Sequence, residues 1–162
     1  MPLARMQGTS MKAIAAGVMA IMAGAASAQG TERSAVERIG QPMLGEQRLP
    51  FSSAVRVGDL LILSGQIGNT PDGKLPEGIE AQTRQAMENI GAILKGQGLA
   101  FGDVAKCTVM LDDMKDWPAF NKVYVTYFPD GKFPARSAFG ADGLALGALV
   151  EVECWAHARE VT

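Results

Sequence analysis

From residue 51 onward, hydrophobic and polar positions repeat with two different periods, and these divide the chain into elements. Residues 53–57 predict a short strand turning at Gly58-Asp59. Leu60-Leu61-Ile62-Leu63 is a continuous apolar run ending at Ser64-Gly65-Gln66, which predicts a buried strand arriving at a glycine-permitted bend. Pro71 and Asp72-Gly73 mark a turn. Over residues 79–94 the period lengthens to that of a helix. Ile79, Ala86, Met87, Ile90, Ile93 and Leu94 form an apolar stripe, and Glu80, Gln82, Arg84, Gln85, Glu88 and Asn89 form the polar side. Gly96 and Gly98 close the helix.

Period two returns at 104–111, with Ala105, Cys107, Val109 and Leu111 on one face and Lys106 and Thr108 on the other. Asp116 as a cap and Pro118 in the first turn predict a second helix, with Phe120, Val123, Tyr124, Tyr127 and Phe128 on its core side. Residues 135–139 predict a strand, and a glycine-rich link leads to a last strand at 149–157. That strand has two unlike faces: Val150, Val152, Cys154 and Ala156 on one, and Leu149, Glu151, Glu153, Trp155 and His157 on the other. The order β-β-α-β-α-β-β predicts an α+β fold, a two-layer sandwich of a mixed sheet with two helices on one face. The other sheet face, bearing carboxylates and Trp155, must meet water or another subunit.

Residues 1–28 follow neither period. Arg5 and Lys12 precede an apolar stretch at 13–23, and Ala26-Ser27-Ala28 has the small-x-small pattern that signal peptidases read. A signal peptide cleaved after Ala28 is expected, with Met11 an alternative start, which places the mature protein in the periplasm or outside the cell. The alternative expectation is a cytoplasmic protein. Residues 29–48 are expected to be a loose lead-in to a domain at 49–160. A chain of 162 residues accommodates one such domain. No apolar run beyond the N-terminus is long enough to span a membrane.

Charge narrows the function classes. Removing Arg5 and Lys12 with the leader takes 15 basic residues to 13 against 17 acidic ones, net −4. Such a balance argues against a nucleic-acid partner. Two cysteines and one histidine cannot make a four-ligand zinc site. No dinucleotide-binding, phosphate-loop, zinc-protease or nucleophile-elbow motif occurs. His157 reads as an interfacial or strand-end residue. Export permits Cys107 and Cys154 to pair, but the reading preferred for them is two inert, buried small hydrophobes, because a disulfide needs strict geometry.

One constellation remains. Pro134-Ala135-Arg136-Ser137 is followed fifteen residues after the arginine by Glu151, in Val150-Glu151-Val152-Glu153. An arginine fork can hold a carboxylate through two parallel hydrogen bonds, and a nearby carboxylate can orient a water. The same two residues can also form a structural ion pair, and the residues alone leave both readings open.

Several ordered segments resemble the RidA/YjgF family of reactive-intermediate (imine) deaminases. They are Leu63-Ser64-Gly65-Gln66-Ile67, Gln82-Thr83-Arg84-Gln85 with Glu88-Asn89-Ile90, and Phe120-Asn121-Lys122-Val123-Tyr124. Residues 104–111 with Asp113-Met114, then Pro134-Ala135-Arg136-Ser137 and Gly147-Ala148-Leu149-Val150-Glu151-Val152-Glu153, complete the set. The resemblance implies a chorismate-mutase-like sandwich assembled as a homotrimer around a central barrel, with clefts between neighbours. It implies hydrolysis of 2-imino acids to 2-keto acids and ammonia, with no cofactor and no metal. Arg136 would grip the substrate carboxylate and Glu151 would position the attacking water. Phe51, Ser64, Gly65, Asn121, Ser137 and Ala138 would line the substrate. No nucleic acid is implied, and no membrane after leader cleavage. Two departures stand out: Phe51 where many deaminating members carry tyrosine, and Ala138 where many carry cysteine. They raise an alternative function, a non-catalytic trimer that binds a small carboxylate or regulates a partner. An endoribonuclease activity, sometimes assigned to such proteins, fits the acidic balance poorly.

Overall fold

The computed structural model describes residues 35–158. The expected signal peptide lies outside the described residues, as do positions 159–162. Among the described residues nine strands and two α-helices follow one another: β1 (Val36–Ile39), β2 (Met43–Leu44), β3 (Gln47–Arg48), β4 (Ala54–Val57), β5 (Leu60–Leu63), β6 (Gln66–Ile67), α1 (Ile79–Gly96), β7 (Val104–Leu111), α2 (Trp117–Tyr124), β8 (Ala135–Gly140) and β9 (Val150–His157). The main sheet runs β1-β4-β5-β9-β7-β8, with β6 also paired to β9. Among the described residues only β7 and β8 pair in parallel, because α2 carries the chain back to the start of the sheet between them. The sheet is therefore mixed, as the order of elements predicts.

The core lies between one sheet face and both helices. Leu61, Leu63, Val109, Leu111, Val150 and Val152 meet Met87, Ile90 and Leu94 of α1 and Phe120 and Tyr124 of α2, all buried. Strict alternation along β9 puts Val150, Val152, Cys154 and Ala156 into this core and turns Glu151, Glu153, Trp155 and His157 away.

Five local expectations need correction. The lead-in is not loose: β1 pairs with β4, and β2 and β3 form a small hairpin. In β7 a bulge between Val104 and Lys106 shifts the pleat, so Val104 is buried and Ala105 exposed. Asp116 stands at the start of α2 as expected, but its side chain makes no capping bond; the carboxylate that caps is that of Asp113, at the short 114–116 turn ahead of α2, accepting from the Lys115 amide at 2.9 Å. Gln82 is buried although it falls on the polar side of α1. Its amide replaces backbone partners, Oε1 accepting from Leu149 N at 2.8 Å and Nε2 donating to the Pro76 carbonyl at 3.0 Å. The cysteines are not separate thiols. Cys107 and Cys154 lie directly opposite in β7 and β9, 4.1 Å apart at Cα, and are disulfide-bonded. The antiparallel register supplies the close approach that sequence spacing cannot reveal.

The bond closes a loop of 47 residues. Chain-entropy arguments give such a cross-link about 2–4 kcal/mol. The double variant Cys107→Ala/Cys154→Ala is expected to lose about that much in urea unfolding, and the denatured wild type should yield no titratable thiol. Recovery of two free thiols from protein kept under oxidising conditions would contradict the assignment.

Candidate active site

Arg136 sits on β8 opposite Cys107 of β7, and so projects from the helix-covered face. The first turns of α2 present three rings to it. Its guanidinium carbon lies 4.5 Å from the centroid of Trp117, 4.6 Å from Tyr124 and 5.9 Å from Phe120. The rings occur at i, i+3 and i+7 of one helix face, the spacing that aligns side chains along a helix. Aromatic faces attract the cation without accepting its in-plane N–H groups, so the fork remains available to a planar anion. Among the described residues the ion pairs are Lys74–Asp72, Lys115–Asp113 and Lys122–Glu80, and Arg136 joins none of them. With Tyr124, Val125, Phe133 and Pro134 it lines a cavity of about 260 Å³. Burial pushes the Tyr124 phenol up to about 12 despite the nearby Arg136 charge, and its buried hydroxyl has no hydrogen-bond partner. Tyr124 therefore stays a neutral donor beside the cation.

Glu151 belongs to the opposite face. It lies across β9 from Met110 of β7 and Ile67 of β6. Partial burial, and then the like charge of Glu153, hold its carboxyl above the ordinary carboxylate value. Gly65 abuts it, and a Cβ there would overlap the carboxylate. The bend carrying Gly65 is pinned on both sides. Ser64 donates its hydroxyl to the Ser52 carbonyl at 2.7 Å and its amide to Ser53 at 3.0 Å. Gln66 Nε2 donates to the carbonyls of Ser64 and Gly65, at 2.9 and 3.0 Å. From α1, Asn89 Nδ2 reaches the carbonyls of Ile67 and Asn69, at 3.1 and 3.0 Å. Glu151, Gly65 and Phe51 line one cleft of about 580 Å³.

The expected site residues thus fall into separate groups. Phe51, Gly65 and Glu151 come together, with Ser64 behind them bonded to the backbone. Arg136 lines a different cavity, and Ala138 follows it on the helix-covered face, opposite Val109. Ser137 is on the other face, in a row with Thr108 and Glu153. Asn121, in α2, lines neither cavity. Within one chain Arg136 and Glu151 project from opposite faces of the sheet, which removes the structural ion-pair reading. Sequence reasoning overlooked Trp117 and used Tyr124 only as a core residue. The aromatic spacing 117/120/124 was the available signal.

Comparison with known proteins places the chain among related sequences and folds. The family model described as Endoribonuclease L-PSP matches residues 45–158. The chain is 43% identical over 106 residues to the 2-iminobutanoate/2-iminopropanoate deaminase of Mus musculus, covering 64% of this chain and 78% of that protein. It is 41% identical over 107 residues to Reactive Intermediate Deaminase A, chloroplastic, of Arabidopsis thaliana, covering 65% of this chain and 57% of the plant protein. The crystal structure of RidA from an Antarctic Psychrobacter bacterium superimposes with a TM-score of 0.66 at 34% identity, covering 77% of this chain and 99% of that one.

The raised Glu151 carboxyl has a signed consequence. Its folded-state value exceeds the unfolded one, so its contribution to stability is full below about 4.5 and is lost as pH rises through the folded value. Glu151→Gln is therefore expected to gain stability relative to wild type as pH rises from 4 to 7 in urea unfolding. A difference that stays flat or shrinks over that range would refute the direction.

Proposed function

The chain belongs to the Endoribonuclease L-PSP (RidA/YjgF) family, and from that membership we propose that it hydrolyses 2-imino acids to 2-keto acids and ammonia. One observation carries the reading. Arg136 is a cation stacked on three rings, outside every ion pair among the described residues, and it lines a cavity. Such a group recognises a planar anion, and the 2-imino acid carboxylate is one.

The chemistry needs little beyond positioning. Water adds its oxygen to the C=N carbon, and the π pair moves to nitrogen, which takes a proton. The carbinolamine then expels ammonia as its hydroxyl proton leaves, and the C=O bond forms. Arg136 fixes the carboxylate. Glu151 accepts a hydrogen bond from the water and orients a lone pair toward carbon. Because the two side chains leave one chain on opposite sheet faces, the working site takes Arg136 from one copy and Glu151 from another. The homotrimer implied by the family resemblance supplies such neighbours. In it, the sheet face bearing Met110, Ser137, Phe139 and Trp155 would form the central barrel, and both Phe139 and Trp155 are exposed in the single chain. The Cys107–Cys154 disulfide supports export to an oxidising compartment, in keeping with the leader-like N-terminus.

A second reading has one observation in its favour. Phe51 supplies a ring without a hydroxyl to the Glu151 cleft, which fits a trimer that binds small carboxylates without turnover. The endoribonuclease of the family's description is disfavoured by the net charge of −2.

The test is ammonia release from iminopropanoate generated by an L-amino-acid oxidase, with semicarbazide as a competing trap. Wild type should accelerate keto-acid formation. Arg136→Ala should lose roughly 100-fold or more in kcat/KM, about 3 kcal/mol for two charge-assisted hydrogen bonds. Wild-type protein that binds pyruvate through Arg136 but accelerates no imine would establish the binding reading instead.

A further inference from the structure

We propose that the Glu151 cleft selects 2-imino acids with a large apolar side chain, aromatic or long aliphatic. The inference rests on the deaminase reading and names its substrate class. Four large apolar side chains remain exposed around this cleft: Leu146 at 56%, Met43 at 54%, Phe51 at 45% and Leu44 at 42%. Exposed apolar groups gathered at one site, rather than scattered, mark a surface that meets an apolar ligand. Glu151 is the one charged residue of the lining. A substrate side chain carrying a negative charge would find no countercharge there, only the Glu151 carboxylate.

The backbone points the same way. Leu146 is the only non-glycine residue at positive φ among the described residues, at φ 58° and ψ 14°. A branched side chain is disfavoured in that region, where glycine fits without cost. The adjoining turn keeps it there, Gly147 N donating to the Leu144 carbonyl and Ala148 N to Ala145, both at 3.1 Å. The strained position therefore projects an exposed leucine over the cleft mouth, where it completes an apolar wall. Strain held at a cavity rim is an observation that calls for a function.

Size makes the choice of substrate. At about 580 Å³ the cleft has the volume of pockets that enclose ligands much larger than a four-carbon acid. A methyl or ethyl side chain would leave the wall wet. A leucine- or phenylalanine-sized one would cover it, and burial of that much apolar surface corresponds to roughly a 10- to 100-fold gain.

The experiment measures kcat/KM of the full chain on imines made by an L-amino-acid oxidase from alanine, leucine and phenylalanine. The leucine and phenylalanine imines should exceed iminopropanoate by roughly 10-fold or more. Leu146→Gly, which suits the positive φ and so preserves the turn, should bring the ratio toward one. Equal or greater efficiency on iminopropanoate would overturn the proposal. So would dissociation of the Leu146→Gly assembly in size-exclusion chromatography, which would make the wall a subunit contact. If no imine is accelerated, the deaminase reading fails, and calorimetry still judges the pocket. Tighter binding of 4-methyl-2-oxopentanoate than of pyruvate supports it, and equal affinity refutes it.

Discussion

The pleat of β9 is the constraint on which the rest of the molecule depends. This strand pairs with β5, β6 and β7, and its side chains alternate without interruption between two environments. Val150, Val152, Cys154 and Ala156 belong to the core floor on which α1 packs. Glu151 and Glu153 are thereby forced to the far face. A carboxylate could not sit on the floor without a partner, because burying an unpaired charge is far costlier than any packing gain. The alternation therefore serves stability and chemistry together, holding the core closed and delivering a half-buried carboxylate to a cleft.

The same geometry sets Arg136 and Glu151 on opposite faces of one chain. Register ties Arg136 to Cys107 and Cys154 on the helix side, where aromatic faces stabilise it without neutralising it. Glu151, an odd number of positions from Cys154, is on the other side. The disulfide fastens β7 to β9 at the row of Cys107 and Cys154, and β8, which carries Arg136, pairs with β7 beside it. In the proposed mechanism a site divided in this way would become whole across a subunit boundary, which makes assembly part of that proposal.

Much of this was legible in the residue pattern because long amphipathic segments report their own environment. Helix α1 begins at Ile79 as its stripe predicts and extends to Gly96. The two faces of β9 were read correctly, and so was the mixed sheet under two helices. Apart from the cap before α2, which is a local bond between Asp113 and Lys115, the misreadings share a cause, namely partners distant in sequence. The residues of β1, Val36-Glu37-Arg38-Ile39, look like polar linker until β4 supplies hydrogen bonds to them. The β7 bulge is set by pairing with β9, and the disulfide by the register that pairing creates. Gln82 reads as solvated because its burial depends on the Leu149 amide, 67 residues away. For the site, the chemistry of Arg136 and Glu151 was visible in their types, but their placement on opposite faces required the pairing of three strands.

The central claim is that catalysis joins Arg136 of one copy to Glu151 of another, and subunit mixing tests it most directly. Arg136→Ala and Glu151→Gln proteins, each inactive alone, would be unfolded together, refolded into mixed assemblies and assayed for imine hydrolysis. A shared site restores activity, to roughly a quarter of wild type under random mixing in a cyclic assembly, because some interfaces then bring two unaltered partners together. Mixed assemblies as inactive as the parent variants would contradict the claim, since every chain would then carry a defect in a site of its own.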